Sequence, residues 1–234
     1  MTTATKALPV RDHVYYPDSD SKPMGETARH VNNLCSALGI VQRFFADDPN
    51  AYVGGNMFLY FVLGDPKRNV CPDLFVVKGV PKVRKPERRS YRTWEEKGKG
   101  PDAIIEFTSK STKKEDTVTK LTLYRDVLKL KEYFLFDPFA EYLDPPLQGY
   151  RLTRGEFVPI KPVNGRLPSR VLGLHLESGG DFLPFWNPAT KTYLLTPEEI
   201  EVEREQADQA LRRAEAEVER LRRELDELRR GSSS

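Results

Sequence analysis

The sequence is poor in cysteine, since Cys35 and Cys71 are the only two in 234 residues. Two cysteines cannot build the disulfide framework of a small secreted domain, and they agree with a reducing interior. The chain also lacks a run of about 18 apolar residues, which a membrane-spanning helix requires. Its first 24 residues contain no apolar signal core. We therefore expect a cytoplasmic protein that makes no contact with a membrane.

An overall excess of one charge is also missing, because the net charge is only +2 although 31% of the residues are charged. This charged fraction, together with 10% aromatic residues, is not the composition of a disordered chain. The length is sufficient for one well-packed domain with an extension. We expect an irregular segment at 1–24, a globular domain at 25–195, a helix at 196–230 and a disordered tail at 231–234.

Hydrophobic periodicity predicts an α/β fold for the globular domain. Four apolar stretches predict strands, at 56–63, 71–79, 102–108 and 132–138. A helical pattern over 114–131 lies between the last two, and this order predicts a parallel crossover. Short strands separated by turn residues follow Pro138 and predict β-hairpins, one of them around "TRGE". An earlier helix is predicted by apolar residues three or four positions apart, namely Val31, Leu34, Leu38, Val41 and Phe45.

The C-terminal segment has a different pattern, in which apolar residues recur strictly every three and four positions. They are Ala207, Leu211, Ala214, Val218, Leu221, Leu225 and Leu228. Charged and amide residues fill most of the positions between them, as is typical of a coiled coil. Arg204 interrupts the series, and Thr196 with Pro197 forms a helix-start signal. We expect a homodimer through residues 200–228; a long solvated helix packed on its own domain is the alternative.

A single carboxylate, Glu106, interrupts the apolar strand pattern "PDAIIEFT". An unpaired buried carboxylate costs several kcal/mol, so Glu106 needs a cation, a metal ion or water as its partner. Asp73 occupies an equivalent place on the preceding strand, so the two acids converge if these strands are neighbours. Two converging carboxylates suit a divalent ion of the Mg²⁺ type, which keeps several waters. A pair of solvated acids at strand ends is the alternative.

The segment between these two acids is strongly basic. Residues 78–99 contain nine Lys or Arg and three Glu, a net charge of +6, together with Tyr91 and Trp94. A basic loop with interleaved aromatics, springing from the acidic site, suits a phosphodiester backbone. An ordinary charged surface loop is the alternative. The residues that we expect to bind nucleic acid are Lys82, Arg84, Lys85, Arg88, Arg89 and Arg92.

These elements together resemble a known family. The motifs are Pro72-Asp73, Glu106 with Ser109, Ser111 and Thr112, then Asp116–Lys120–Tyr124 on the helix, and Glu132-Tyr133 through Asp137-Pro138. They are similar to those of the Uma-type family of bacterial restriction endonucleases, in the PD-(D/E)xK nuclease superfamily. The resemblance covers roughly residues 20 to 195. It implies a restriction-endonuclease-like mixed β-sheet flanked by helices, here with added β-hairpins and a C-terminal coiled-coil helix.

The resemblance also implies the roles of individual residues. Asp73 and Glu106 would hold Mg²⁺ or Mn²⁺. The superfamily's lysine two positions after the glutamate is absent, because Thr108 stands there. The resemblance implies that Lys120 supplies this ammonium from the helix, where its four-residue spacing from Asp116 and Tyr124 forms one stripe. The nearer lysines are the alternatives: Lys110, Lys113 and Lys114.

These expectations lead to a Mg²⁺-dependent endonuclease that hydrolyses phosphodiester bonds in DNA. Asp73, Glu106 and Lys120 are the candidate catalytic residues. The candidate auxiliary residues are Glu26, His30, Ser109, Asp116 and Tyr124. One alternative is a catalytically degenerate nuclease-fold protein that binds DNA or recruits a partner through its coiled coil. Another is a purely structural dimerisation protein.

Overall fold

The structure is a computed structural model that describes residues 14–17, 27–82, 88–110 and 112–231. It divides into two compact units, residues 1–194 and 195–234. Most of the expected irregular segment 1–24 and all but Gly231 of the expected tail lie outside the described residues.

The described residues contain thirteen strands, three α-helices and two short turns of other helix types. The helices are α1 Ala28–Phe44, α2 Leu121–Asp126 and α3 Pro197–Gly231, with a 3₁₀ turn at Thr93–Glu96 and a π-helical turn at Glu115–Lys120 that continues into α2. The strands are β1 Ala51–Gly54, β2 Leu59–Tyr60, β3 Asn69–Val70, β4 Leu74–Lys78, β5 Tyr91–Arg92, β6 Ala103–Phe107, β7 Glu132–Phe136, β8 Leu147–Thr153, β9 Glu156–Pro159, β10 Leu167–Pro168, β11 His175–Leu176, β12 Phe185–Asn187 and β13 Thr192–Tyr193.

A six-stranded mixed sheet forms the centre of the first unit, in the order β1-β4-β6-β7-β8-β9. β6 and β7 are parallel, and the π-helical turn with α2 connects them. This confirms the predicted crossover and the α/β fold class. β8 and β9 form the predicted hairpin at "TRGE", where Arg154 and Gly155 both have positive φ. Smaller sheets, β10-β11-β12-β13 and β3-β2-β5, complete the unit.

The two faces of the central sheet bury separate hydrophobic clusters. Leu74 and Ile105 point to the face covered by α1 and the sheet β10–β13. Phe75 and Ile104 point to the opposite face, where Tyr124 of α2 packs. The α1 helix starts at Thr27, whose hydroxyl accepts a hydrogen bond from the His30 amide. The acids predicted for the active site lie on the α2 face, because side chains two positions apart on a strand point to the same face. Glu106 follows Ile104 by two positions, and Asp73 precedes Phe75 by two.

Several element boundaries differ from the sequence expectations. The strand predicted at 56–63 pairs only at Leu59–Tyr60, and Leu63 is 61% exposed. β1 was not predicted, because four residues are too few for a periodic signal. The helix predicted over 114–131 ends at Asp126, and Lys129 adopts a positive φ in the following turn. Val31 is exposed, although the apolar spacing placed it on the buried face of α1.

The second unit is one continuous helix of 35 residues, α3. Its apolar positions are largely uncovered, with Leu211 58%, Val218 48%, Leu221 50% and Leu225 48% exposed. The helices found in the described part of the chain are all too short or too polar to cross a membrane.

Candidate active site

Asp73 and Glu106 lie opposite each other on adjacent antiparallel strands. β4 and β6 pair with Leu74 facing Ile105, so one further step in this register brings the two acids together. The Asp73 amide donates to Glu106 Oε2 at 3.2 Å, and the Phe107 amide donates to Asp73 Oδ2 at 2.8 Å. Each carboxylate therefore helps to fix the backbone that carries the other.

Glu106 is fully buried and its charge is matched by a lysine. Lys120 Nζ lies 3.1 Å from Glu106 Oε2, and the Tyr124 hydroxyl donates to Glu106 Oε1 at 2.6 Å. An ammonium and a phenol thus satisfy a charge that would otherwise be expensive in the core. The cation that the buried Glu106 needs is therefore Lys120, from the crossover helix.

A second acid holds the other side of Lys120. Asp116 Oδ1 lies 3.0 Å from Lys120 Nζ, and Asp116 Oδ2 accepts a hydrogen bond from the Thr108 hydroxyl at 2.7 Å. Thr108, two residues after Glu106, thus anchors the acid that pairs with Lys120. The π-helical turn directs Asp116 and Lys120 towards the sheet and leaves Val118 exposed; such turns are frequent at functional sites.

The surroundings of these groups shift their pKa values. Burial raises the pKa of Glu106, and the neighbouring charges of Asp73 and Asp116 raise it further, while Lys120 opposes the rise. Burial also raises the pKa of Asp73, again against the effect of Lys120. The pKa of Lys120 is raised, because the attraction of the three carboxylates outweighs its own burial. The site therefore favours additional positive charge.

Two residues from distant parts of the chain border this cluster. His30 of α1 lies beside Asp73, with Nε2 3.9 Å from Asp73 Oδ1. Tyr142 forms a hydrogen bond with Thr108 through their hydroxyl groups. Tyr142 lies in the loop after β7, which Asp137 shapes by accepting from the amides of Phe139, Tyr142 and Leu143. This loop and α1 thus flank the carboxylates.

A family model with the description "Putative restriction endonuclease", Uma2, matches residues 19–177. The chain belongs to the Uma2 family. This confirms the resemblance read from the sequence. Among solved structures, one that is similar is a crystal structure of "a putative nuclease belonging to DUF820" from Anabaena variabilis. It is 20% identical, with a TM-score of 0.46, over 69% of this chain and 83% of that chain. Among curated proteins no match is found.

The donor atoms of this Uma2 chain fit a divalent ion of the Mg²⁺ type. Asp73, Glu106 and Asp116 supply three carboxylates against the single ammonium of Lys120, which leaves a formal charge of −2. Mg²⁺ needs only one or two carboxylates, with waters and phosphate oxygens in its other positions. Within the described ranges no group of three or more His, Cys, Asp or Glu side chains is arranged for a metal ion, so the three carboxylates do not form a complete ligand cage. The available donors are oxygen atoms, which are ligands of the type that Mg²⁺ and Mn²⁺ prefer.

The structure separates the candidate auxiliary residues of this Uma2 site into three groups. Asp116 and Tyr124 contact the central cluster directly, and His30 lies beside Asp73. Ser109 instead closes a turn with Thr112, whose hydroxyl accepts from the Ser109 amide at 3.0 Å. Glu26 lies outside the described residues.

The basic loop starts and finishes at the other end of the strands. β4 runs away from Asp73 to Lys78, and at about 3.3 Å per residue these lie roughly 16 Å apart. The loop returns at Asp102, whose Oδ2 accepts from the Lys78 amide at 2.6 Å. The expectation that the loop springs from the acidic site is therefore wrong, because antiparallel pairing places its two ends at the opposite edge.

Several basic side chains of this loop have partners within the protein. Arg88 pairs with Glu96 at 2.6 Å and lies 4.5 Å from the centre of the Tyr52 ring. Lys82 donates to two backbone carbonyl groups, and Arg92 pairs with Glu95 at 3.1 Å. The Arg89 side chain is exposed. The predicted contacts Arg84 and Lys85 lie outside the described residues.

Sequence reasoning missed Tyr142 and the anchoring role of Thr108. Thr108 was recognised only as a replacement for the missing lysine. Tyr142 is 34 positions from Thr108, and no local spacing relates the two residues. The motif "FDP" carried the only available signal, because Asp137 forms the loop that positions Tyr142.

Proposed function

We propose that this Uma2 chain is a metal-dependent endonuclease that hydrolyses phosphodiester bonds in DNA. The observation that carries the proposal is the buried Glu106, which lies opposite Asp73 and within 3.1 Å of Lys120. Two carboxylates can hold a metal ion that activates water, and an adjacent lysine can stabilise negative charge on a phosphate oxygen. Family membership supports the same class of reaction.

Each residue has a separate task in this proposal. Asp73 and Glu106 hold the ion, which would supply an activated water and stabilise charge on the phosphate. Lys120, fixed by Asp116 and Glu106, offers its N–H groups to an attacking water or to a non-bridging phosphate oxygen. Tyr124 keeps Glu106 oriented from the buried side. The work of the protein is thus to position charges before the substrate arrives.

A catalytically degenerate nuclease fold that binds DNA or recruits a partner is the second candidate. The contacts of Glu106 favour this second candidate, because both carboxylate oxygens already have partners. Oε1 accepts a hydrogen bond from Tyr124, and Oε2 accepts one from the Asp73 amide and pairs with Lys120. A metal ion would have to share Oε2 or displace the lysine from it. Asp73 Oδ1 is the more accessible ligand, because the Asp73 side chain is 17% exposed.

Incubation of the purified protein with supercoiled plasmid in Mg²⁺, Mn²⁺ or EDTA tests the proposal. Nicked or linear product with either metal, but not with EDTA or with Glu106→Gln, is the expected result. Plasmid that stays intact with both metals, although it is bound, would support the degenerate fold.

We further propose that α3 pairs with α3 of a second copy through residues 200–228. The exposed apolar positions Leu211, Val218, Leu221 and Leu225 support this, because their three- and four-residue spacing forms one stripe. A dimer would bring two candidate active sites to one DNA molecule, one for each strand.

A further inference from the structure

The negative charge of the candidate active site opposes the binding of DNA. Its three carboxylates and single ammonium carry a formal charge of −2, so one divalent ion only neutralises them. A protein binds DNA largely through Lys and Arg side chains that neutralise phosphates and release their counterions. Further positive groups near the mouth of the site are therefore needed.

Three lysines lie close to the end of the strand that carries Glu106. Lys110, Lys113 and Lys114 follow β6 directly, and all three are exposed. Lys113 Nζ lies 5.1 Å from the centre of the Tyr142 ring. Because the Tyr142 hydroxyl bonds to Thr108, one chain of contacts connects this lysine with the anchored Asp116–Lys120 pair.

The position of these lysines on the helix also favours an anionic ligand. Lys113 and Lys114 open the helical stretch that continues through the π-helical turn into α2. Cations in a first helical turn are disfavoured by the helix dipole. A bound phosphate would reverse this effect, since both the lysines and the helix start would then attract it.

The basic loop competes poorly for the same role. Its ends lie at the far edge of the sheet, and Arg88 and Lys82 have partners inside the protein. A DNA-binding surface at the carboxyl ends of β6 and β7 would instead lie beside the carboxylates.

We propose that Lys110, Lys113 and Lys114 form a lysine rim that binds the phosphate backbone of duplex DNA beside Glu106. The inference rests on the proposed function for its choice of ligand. The rim contacts phosphates and not base edges, so it supplies affinity and places the scissile strand without reading sequence.

The test is the salt dependence of binding to a short DNA duplex in EDTA, measured by fluorescence anisotropy. The rim variant carries Lys110→Gln, Lys113→Gln and Lys114→Gln. The matched control removes three charges from the loop, as Lys82→Gln, Arg89→Gln and Arg92→Gln. Each phosphate contact contributes about −0.9 to the log–log salt slope, so we expect the rim variant to flatten the slope by about two to three units. The loop variant should change it by less than about one unit.

An unchanged slope in the rim variant, or a flattened slope in the loop variant alone, would overturn the proposal. So would a wild-type protein that fails to bind the duplex in low salt. Plasmid cleavage in Mg²⁺ is measured separately on the same preparations. If the wild type cleaves plasmid but the rim variant keeps the wild-type salt slope, the lysine rim is refuted and the proposed nuclease activity is not. If the rim variant flattens the slope but the wild type does not cleave, the proposed nuclease activity is refuted and the lysine rim is not.

Discussion

Lys120 Nζ lies 3.1 Å from Glu106 Oε2, although one residue belongs to a π-helical turn and the other to a central strand. The parallel crossover brings them together, since the helix that leaves β6 folds back over the face to which Glu106 points. A lysine on the crossover helix thus reaches a carboxylate on the central strand.

Replacing either of the opposed acids should abolish cleavage. Asp73→Asn and Glu106→Gln keep the side-chain shape but remove a negative oxygen that Mg²⁺ prefers. We expect no plasmid nicking by either variant and weaker Mg²⁺ binding by calorimetry. Glu132→Gln is the control, because Glu132 is a buried acid that binds Arg151 and Ser169 and lies beside Ala103, at the other end of β6 from Glu106. Wild-type cleavage by Glu106→Gln would remove Glu106 from the site.

Lys120→Met should separate catalysis from metal binding. An ammonium cannot be a metal ligand, so Mg²⁺ binding should persist while the cleavage rate falls by about 10²–10³-fold. The variant leaves two buried acids without their cation and should lose about 3 kcal/mol of unfolding free energy. Mg²⁺ titrations by calorimetry and single-turnover nicking assays measure the two effects. Lys161→Met, at an exposed position, is the control. Normal nicking by Lys120→Met would exclude its catalytic role.

Tyr124→Phe should weaken the fold through the loss of one buried hydrogen bond. The hydroxyl donates to Glu106 at 2.6 Å, and its removal leaves that carboxylate oxygen without this donor. We expect a loss of about 1–3 kcal/mol in urea denaturation. Tyr150→Phe is the matched control, because its hydroxyl bonds to the partly exposed Gln148 and should matter less. Equal stability of the two variants would contradict the importance of the Tyr124 contact.

The Pro-Asp pairs that flank the basic loop, Pro72-Asp73 and Pro101-Asp102, should behave in opposite ways. Asp102 closes the basic loop, since it accepts from the Lys78 amide and pairs with Lys131 at 2.8 Å. Asp102→Ala should therefore lower the unfolding free energy by about 1–3 kcal/mol while the folded fraction cleaves at a near-normal rate. Asp73→Asn should show the reverse, a nearly unchanged stability without cleavage. If Asp102→Ala and Asp73→Asn both lose cleavage and both keep wild-type stability, the expected difference between the two acids is wrong.

Removal of α3 should convert a dimer into a monomer. Light scattering on the full chain and on a version that ends at Thr196 measures this directly. We expect twice the monomer mass for the full chain at tens of micromolar and the monomer mass for the shortened one. Leu211→Glu with Leu221→Glu provides a full-length control that should also be monomeric, because charge at these positions disrupts a coiled-coil seam. A monomeric full chain would end the dimer proposal.

Local patterns were sufficient for much of the site. Period-two alternation placed Glu106 on one strand face, and four-residue spacing placed Asp116, Lys120 and Tyr124 on one helix face. Element boundaries differ more, as at 56–63, where an apolar run forms only a two-residue strand. An apolar run records burial, and packing against neighbours decides whether it also pairs as a strand.

By itself the sequence determined the family, the α/β class and the crossover, and it indicated the two candidate acids, because these depend on motifs and on their order along the chain. Only the tertiary structure decided which groups surround those acids. Antiparallel pairing of β4 with β6 joined Asp73 to Glu106 and sent the basic loop to the opposite edge. The loop after β7 brought Tyr142 to Thr108 from 34 positions away. Such contacts arise from the way whole elements pack, and short-range spacing along a chain carries no record of them.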